Sequence, residues 1–204
     1  MISLPGTGSR RANGLESVGM RVPVLTIPGM FNSGPLHWQS IWESKNADFT
    51  RVPQADWDHP VRSEWVAGIE RKVASTPSPA VLVAHSLGCL AFAYWALSTR
   101  LQIAGALLVA IPDPTRPQFP DEATGFAPVP LQKFDFASIV VVSSNDPYGS
   151  LDFVDRCASA WGSRLVNVGQ AGHINADSAL GDWPEGFELL ETLRAGKEGL
   201  AAAR

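Results

Sequence analysis

Between Pro79 and Thr99 the chain passes, with no linker, from a pattern that reads as a strand to one that reads as a helix, and the switch falls on a serine. Val81-Leu82-Val83-Ala84 is too short and too β-branched for a helix and fits a strand buried on both faces. Leu87 to Ser98 is apolar on nearly every side, as suits a helix packed in the interior. A sharp, strained turn between two such elements pushes the hydroxyl of Ser86 out above the sheet, and small residues two before and two after it let strand and helix approach. Here those residues are Ala84 and Gly88, where the usual pattern has glycine at both places. Taken alone, A-x-S-x-G is a weak signal, and the bland reading is a plain turn.

Around this junction short apolar runs alternate with helical patterns, the signature of a parallel sheet covered on both faces and hence of the α/β class. Strands are expected at Val22 to Ile27, Phe49 to Val52, Val81 to Ala84, Ala104 to Ala110, Ile139 to Ser143 and Leu165 to Val168. Helices are expected at Pro35 to Glu43, Val61 to Ala74, Leu87 to Ser98, Leu151 to Trp161 and Pro184 to Arg194. Pro35 falls near a first turn, and Gly162 marks a helix end. Pro112 to Ala137 breaks the alternation, with further prolines at 114, 117, 120, 128 and 130. A loop this long inside a compact domain is commonly functional, and one wall of a pocket is the expectation, with a surface-pinned segment as the alternative. Residues 1–19 lack any periodic apolar pattern and read as a flexible extension, with Met20 as a possible functional start. A single domain is expected over 20–195 and a fraying tail over 196–204.

A serine hydroxyl needs a histidine to take its proton and a carboxylate to hold that imidazole in the right tautomer. In this type of fold the order is Ser, acid, His. Downstream of Ser86 only one histidine remains, His173, on a loop after the last strand. The preceding strand runs into Asn145-Asp146-Pro147, which makes Asp146 the expected acid, with Asp113 after the fourth strand as its rival. Three roles in the right order, each at the C-terminal end of a strand, converge far better than one motif, because such strand ends are where α/β sheets place their sites. The tetrahedral oxyanion requires backbone N–H donors already aimed at it. Leu87, directly after the serine, and Met30, in the loop after the first strand, are the expected donors, with Phe31 as an alternative to Met30.

Ala84-His85-Ser86-Leu87-Gly88-Cys89, Ser144-Asn145-Asp146-Pro147-Tyr148, and Gly172-His173-Ile174-Asn175-Ala176 with Gly181-Asp182-Trp183-Pro184 together resemble the small serine hydrolase family that includes retinoblastoma-binding protein 9 and many bacterial relatives. The likeness runs from about Val22 to Leu193. It implies an α/β-hydrolase core with about six mostly parallel strands in the spatial order 2-1-3-4-5-6, with helices on both faces and no large cap domain. It places the family's serine, aspartate and histidine on Ser86, Asp146 and His173, the assignment the strand ends had already reached. It implies hydrolysis of small esters or amides and leaves the substrate open. Acyl transfer or thioester cleavage by the same serine is one alternative. A binding module that kept the fold is another, although it would not need three catalytic roles, and the pocket-protein ligand motif Leu-x-Cys-x-Glu is absent.

The other polar residues read more modestly. His37 is expected on the first helix, touching substrate or simply exposed; Phe31 and Trp183 are expected at the substrate site; His85 should pack beside the turn, and Asp182 should cap the last helix. Cys89 and Cys157 fit reduced core positions. No two histidines have ligand spacing and no Cys pair assists, so neither metal nor cofactor is expected. A net charge of −4 gives no reason to expect nucleic acid or an anionic membrane as partner. No run approaches the roughly 18 apolar residues of a span, and no signal-peptide core is visible, so the expectation is a cytoplasmic protein acting on a small molecule.

Overall fold

The computed structural model describes residues 21–77 and 79–196. The extension expected over 1–19 and the tail beyond Gly196 lie outside these residues. The elements follow in the order β1 (Val24–Ile27), α1 (Trp38–Lys45), β2 (Phe49–Arg51), α2 (Arg62–Ala74), β3 (Val81–His85), α3 (Leu87–Ser98), β4 (Gly105–Val109), β5 (Ser138–Val142), α4 (Leu151–Trp161), β6 (Arg164–Asn167) and α5 (Pro184–Arg194). The six strands form one sheet in the order β2-β1-β3-β4-β5-β6, with every pair parallel. This is the expected architecture, and no large cap is present among the described residues.

Successive strand residues point to opposite faces, so each face is assembled from alternate positions. Leu25, Ile27, Leu82, Ala84, Leu108 and Val140 face α2, α3 and α4, where they meet Trp65, Ile69, Phe92, Trp95, Phe153 and Trp161. Val24, Val81, Val83, Leu107, Val109 and Val141 face α1 and α5, where they meet Trp38, Trp42, Leu190 and Leu193. β1, β3, β4 and β5 are buried along their whole length, which is why they read as continuous apolar runs without alternation.

Two local expectations are corrected. Helix α1 begins at Trp38, not Pro35: the His37 N–H closes a turn onto the Gly34 carbonyl, and His37 Nδ1 then accepts the N–H of Gln39 as the cap. Asp182 does not cap α5, whose N-cap is Trp183 in the left-handed region. Its carboxylate instead meets Lys45 Nζ at 2.6 Å, and its carbonyl accepts Trp42 Nε1.

The proline-rich segment does both things expected of it. Its first part, with Pro112, Gln118, Phe119 and Pro120, borders the cavity described below. The remainder is pinned: Thr124 N–H donates to the Pro60 carbonyl, the Pro130 carbonyl accepts Trp161 Nε1 at 2.7 Å, and Phe126 and Phe134 are buried.

Candidate active site

Ser86 stands between β3 and α3 at φ 53° and ψ −126°, a strained conformation that a non-glycine residue adopts only when its surroundings enforce it. The enforcement is visible on both sides. A Cβ on Gly88 would lie 2.4 Å from the Ile27 carbonyl oxygen, and one on Gly29 would lie 2.8 Å from Ser86 Cβ. Glycine at 88 lets α3 close onto the end of β1, and glycine at 29 lets the loop after β1 lie against the serine. Ala84, by contrast, sits within the sheet opposite Ile27, fully buried, where its methyl is accommodated.

Ser86 Oγ lies 2.8 Å from His173 Nε2, and His173 Nδ1 lies 2.9 and 3.0 Å from the two carboxylate oxygens of Asp146. With Nδ1–H donating to a carboxylate, Nε2 is left as the acceptor for the serine hydroxyl. The Asp146 side chain is 1% exposed and also accepts the N–H of Tyr148. Asp113, the rival acid, is occupied elsewhere: its Oδ1 accepts both the N–H and the hydroxyl of Thr115. The structure thus brings Asp146, and not Asp113, to the histidine.

The loop carrying His173 is held from several directions. Asn145 Oδ1 accepts the Gly172 N–H at 2.8 Å, and Ser143 Oγ accepts that of Ala171 at 2.9 Å. Trp38 Nε1 donates to the Ile174 carbonyl, and His85 Nε2 lies 3.0 Å from the His173 carbonyl. His85 therefore does pack beside the turn, as expected, and its ring also tethers the loop. Burial, and then the neighbouring His37 and His173, push the pKa of His85 far below that of an ordinary imidazole, so it is neutral and donates through Nε2–H.

A cavity of about 350 Å³ opens over Ser86. Met30, Phe31, Asn32, His37, Leu87, Phe119, Tyr148 and Asn175 line it together with Ser86 and His173. The N–H groups of Met30 and Leu87 have no acceptor among the described residues, whereas that of Phe31 donates to the Trp57 carbonyl at 2.9 Å. Between the two alternatives for the second donor, only Met30 is free. Phe31 and Asn32 both have positive φ, near 65°, and this strained loop is tied down by Arg51, whose guanidinium reaches Asn32 Oδ1, the Ser33 carbonyl, Ser40 Oγ and both oxygens of Glu43.

Two of the residues expected at the substrate are placed differently from one another. His37 borders the cavity but is buried rather than exposed on a helix surface; burial first, then Arg51 and His173, lower its pKa to about 4. Trp183 does not reach the cavity: it is buried beneath it, packed on Trp38 and Trp42. Sequence reasoning missed Arg51, which only the fold links to the site, and the part that Asn145 and Ser143, close to Asp146 in the chain, take in holding the His173 loop. Cys89 and Cys157 are buried thiols raised above the ordinary range by burial, Cys157 to about 12, as befits core positions. Among the described residues no group of three His, Cys, Asp or Glu side chains is placed to hold a metal ion, and no helix is long and apolar enough to cross a membrane.

A parallel six-stranded sheet with a serine on the elbow after its third strand defines an α/β hydrolase. The chain belongs to the serine hydrolase family, whose model matches residues 24–192. Among solved structures it is similar to a YdeN-like hydrolase from Pectobacterium atrosepticum, with 31% identity, a TM-score of 0.76, and coverage of 86% of this chain and 91% of that one. The product of ydeN from Bacillus subtilis has the same fold at 21% identity and a TM-score of 0.68, covering 85% of this chain and 99% of that one. So does a thermophilic esterase from Thermogutta terrifontis, at 17% identity and a TM-score of 0.61 over 86% and 90% of the two chains. No curated protein matches the chain.

Proposed function

We propose that this serine hydrolase cleaves small carboxylic esters through an acyl-enzyme, with Ser86 as nucleophile, His173 as general base and acid, and Asp146 as the group that orients His173. The single observation that carries this is the hydrogen-bonded line from Ser86 Oγ through His173 to Asp146, at 2.8 and 2.9 Å, at the floor of the cavity. Ser86 Oγ attacks the ester carbonyl carbon while its proton passes to His173 Nε2. The negative charge that develops on the carbonyl oxygen meets the free N–H groups of Leu87 and Met30. Collapse breaks the carbon–oxygen bond of the ester, and the leaving alcohol takes the proton from His173. Water then repeats the sequence on the acyl-serine, releasing the acid and restoring Ser86. The Thermogutta terrifontis neighbour is an esterase, which agrees with this choice of bond. Labelling by a fluorophosphonate probe, with and without Ser86→Ala, followed by turnover of a 4-nitrophenyl ester panel of graded chain length, tests it. Labelling lost with Ser86→Ala is the expected result, and labelling that persists overturns it.

A further inference from the structure

The side chains that border the cavity are chemically one-sided. Met30, Phe31, Leu87, Pro112, Phe119 and Pro120 give it apolar walls. Its polar members are amides, a phenol, the serine and three imidazoles, and among the described lining residues there is no Asp, Glu, Lys or Arg. Nor do the imidazoles of His37 and His85 supply a charge at neutral pH. His37 and His85 are both held neutral by burial, and their rings stand 4.7 Å apart, with His85 a further 5.0 Å from His173. Asp146 is engaged by His173, and Arg51 by Glu43 and the loop around Asn32, while Asp177 stands not in this cavity but in an adjoining one that shares Tyr148, His173 and Asn175. A charged group brought into such a space loses water and gains no counter-ion, which is costly even when partly solvated. An apolar chain gains on the same walls. The volume, about 350 Å³, lies near the small end of the range of roughly 300–1,000 Å³ in which ligand pockets fall.

Resting on the ester-hydrolase reading above, we infer that the substrate is a neutral ester with an uncharged, apolar acyl group, and that the site turns away both anionic acyl chains and amino acids or peptides presenting a free α-ammonium. An enzyme that reads a free amino terminus needs a carboxylate where that ammonium sits, and this cavity has none to offer among its described residues.

Three matched 4-nitrophenyl esters test it on the full chain: the 4-methylpentanoate, the L-leucine ester, which differs from it by one α-ammonium, and the hemisuccinate, which replaces its branched end with a carboxylate of similar shape. With each kcat/KM divided by the uncatalysed rate of the same ester, the neutral ester should lead both charged ones by on the order of a hundredfold. Gln118→Arg, which places a cation on the wall beside Phe119, should raise the hemisuccinate relative to the 4-methylpentanoate by about tenfold. Charged esters turned over within about threefold of the neutral one, or a Gln118→Arg variant that folds and leaves the ratio where it was, would overturn the inference while probe labelling of Ser86 leaves the serine-hydrolase reading standing. An unlabelled wild-type protein that hydrolyses none of the three would sink both.

Discussion

Two stretches of backbone meet at the cavity, the elbow around Ser86 and the loop from Pro28 to His37, and they are held in place by different physics. The elbow is set by sterics over a few residues: a buried strand, a buried helix, and a glycine at 88 where any side chain would strike the Ile27 carbonyl. The loop is also strained, with positive φ at Phe31 and Asn32, but a distributed polar network maintains it. Arg51 from β2 grips Asn32 and Ser33, Ser33 Oγ donates to Gln39 Oε1, and Gln39 Nε2 donates to the Val83 carbonyl. One half of the site is thus written into a contiguous motif and the other into side chains from β2, α1 and the loop itself. The first should fail at single chemical groups and the second gradually.

The sharpest break comes from the elbow itself. Ser86→Ala removes the nucleophile with almost no change in packing, since the strain at this position lies in the backbone. Turnover of a neutral 4-nitrophenyl ester should fall by about a millionfold, with the melting temperature nearly unchanged. Substantial residual activity would mean that the elbow is only a turn.

Next in size is the acid. Asp146→Asn preserves shape but favours the wrong imidazole tautomer and cannot stabilise the imidazolium, so kcat should drop by about ten-thousandfold. Asp113→Asn, which disturbs only the turn at Thr115, should cost far less. Steady-state kinetics of the two variants side by side decide the assignment, and the reverse ranking would move the acid to the end of β4.

The loop should yield more gently. Arg51→Met releases Asn32 and Ser33 while leaving Ser86, His173 and Asp146 in their line. If the loop's role is to hold the Met30 N–H at the oxyanion, kcat should fall by roughly a hundredfold with KM little changed, near what loss of one such donor costs. Arg51→Lys keeps the charge but not the planar fork and should recover only part of the loss. Unchanged kcat in Arg51→Met would show that the loop holds its shape without the network.

The same contrast explains what was legible in the sequence. Ser86, Asp146 and His173 each end or follow a strand, and strands buried on both faces announce themselves as apolar runs, so both the fold and the line of three residues could be read from local pattern. The strand order came from resemblance, since neither the β1–β3 nor the β1–β2 pairing leaves any local mark. The exposed placement of His37 and the substrate-side placement of Trp183 went astray for a shared reason: each lies at a helix start. The periodicity of α1 suggested a helix beginning at Pro35, but the structure begins it at Trp38, and three residues' difference turns His37 from a surface position into a buried cap. Trp183 is next to the His173 segment in sequence, yet its left-handed backbone turns the indole down onto Trp38 and Trp42. Arg51 carries no motif, because its partners Asn32 and Glu43 are joined to it only by the fold.

The smallest effect expected concerns His37, which belongs to the loop by position and to the core by burial. Its pKa is about 4 in the folded chain against an ordinary 6.5, because burial, then Arg51 and His173, oppose the charged ring; His85 faces it as well and is also held neutral. The unfolded chain therefore binds a proton at this ring as the pH falls through 6.5, while the folded chain does not until about 4. Stability contributed by the neutral ring is present above 6.5 and is lost as the pH falls through that window. Between pH 7 and pH 5 the loss from this one group should be about 2 kcal/mol. His37→Asn tests it cleanly, since asparagine is a good N-cap and can keep the hydrogen bond to Gln39 while removing the titration. Unfolding free energies from urea titrations at the two pH values should fall further for the wild type than for the variant by about that amount. Equal losses would mean that His37 is hydrated when folded, and that the loop between Pro28 and α1 is less tightly closed than the elbow it faces.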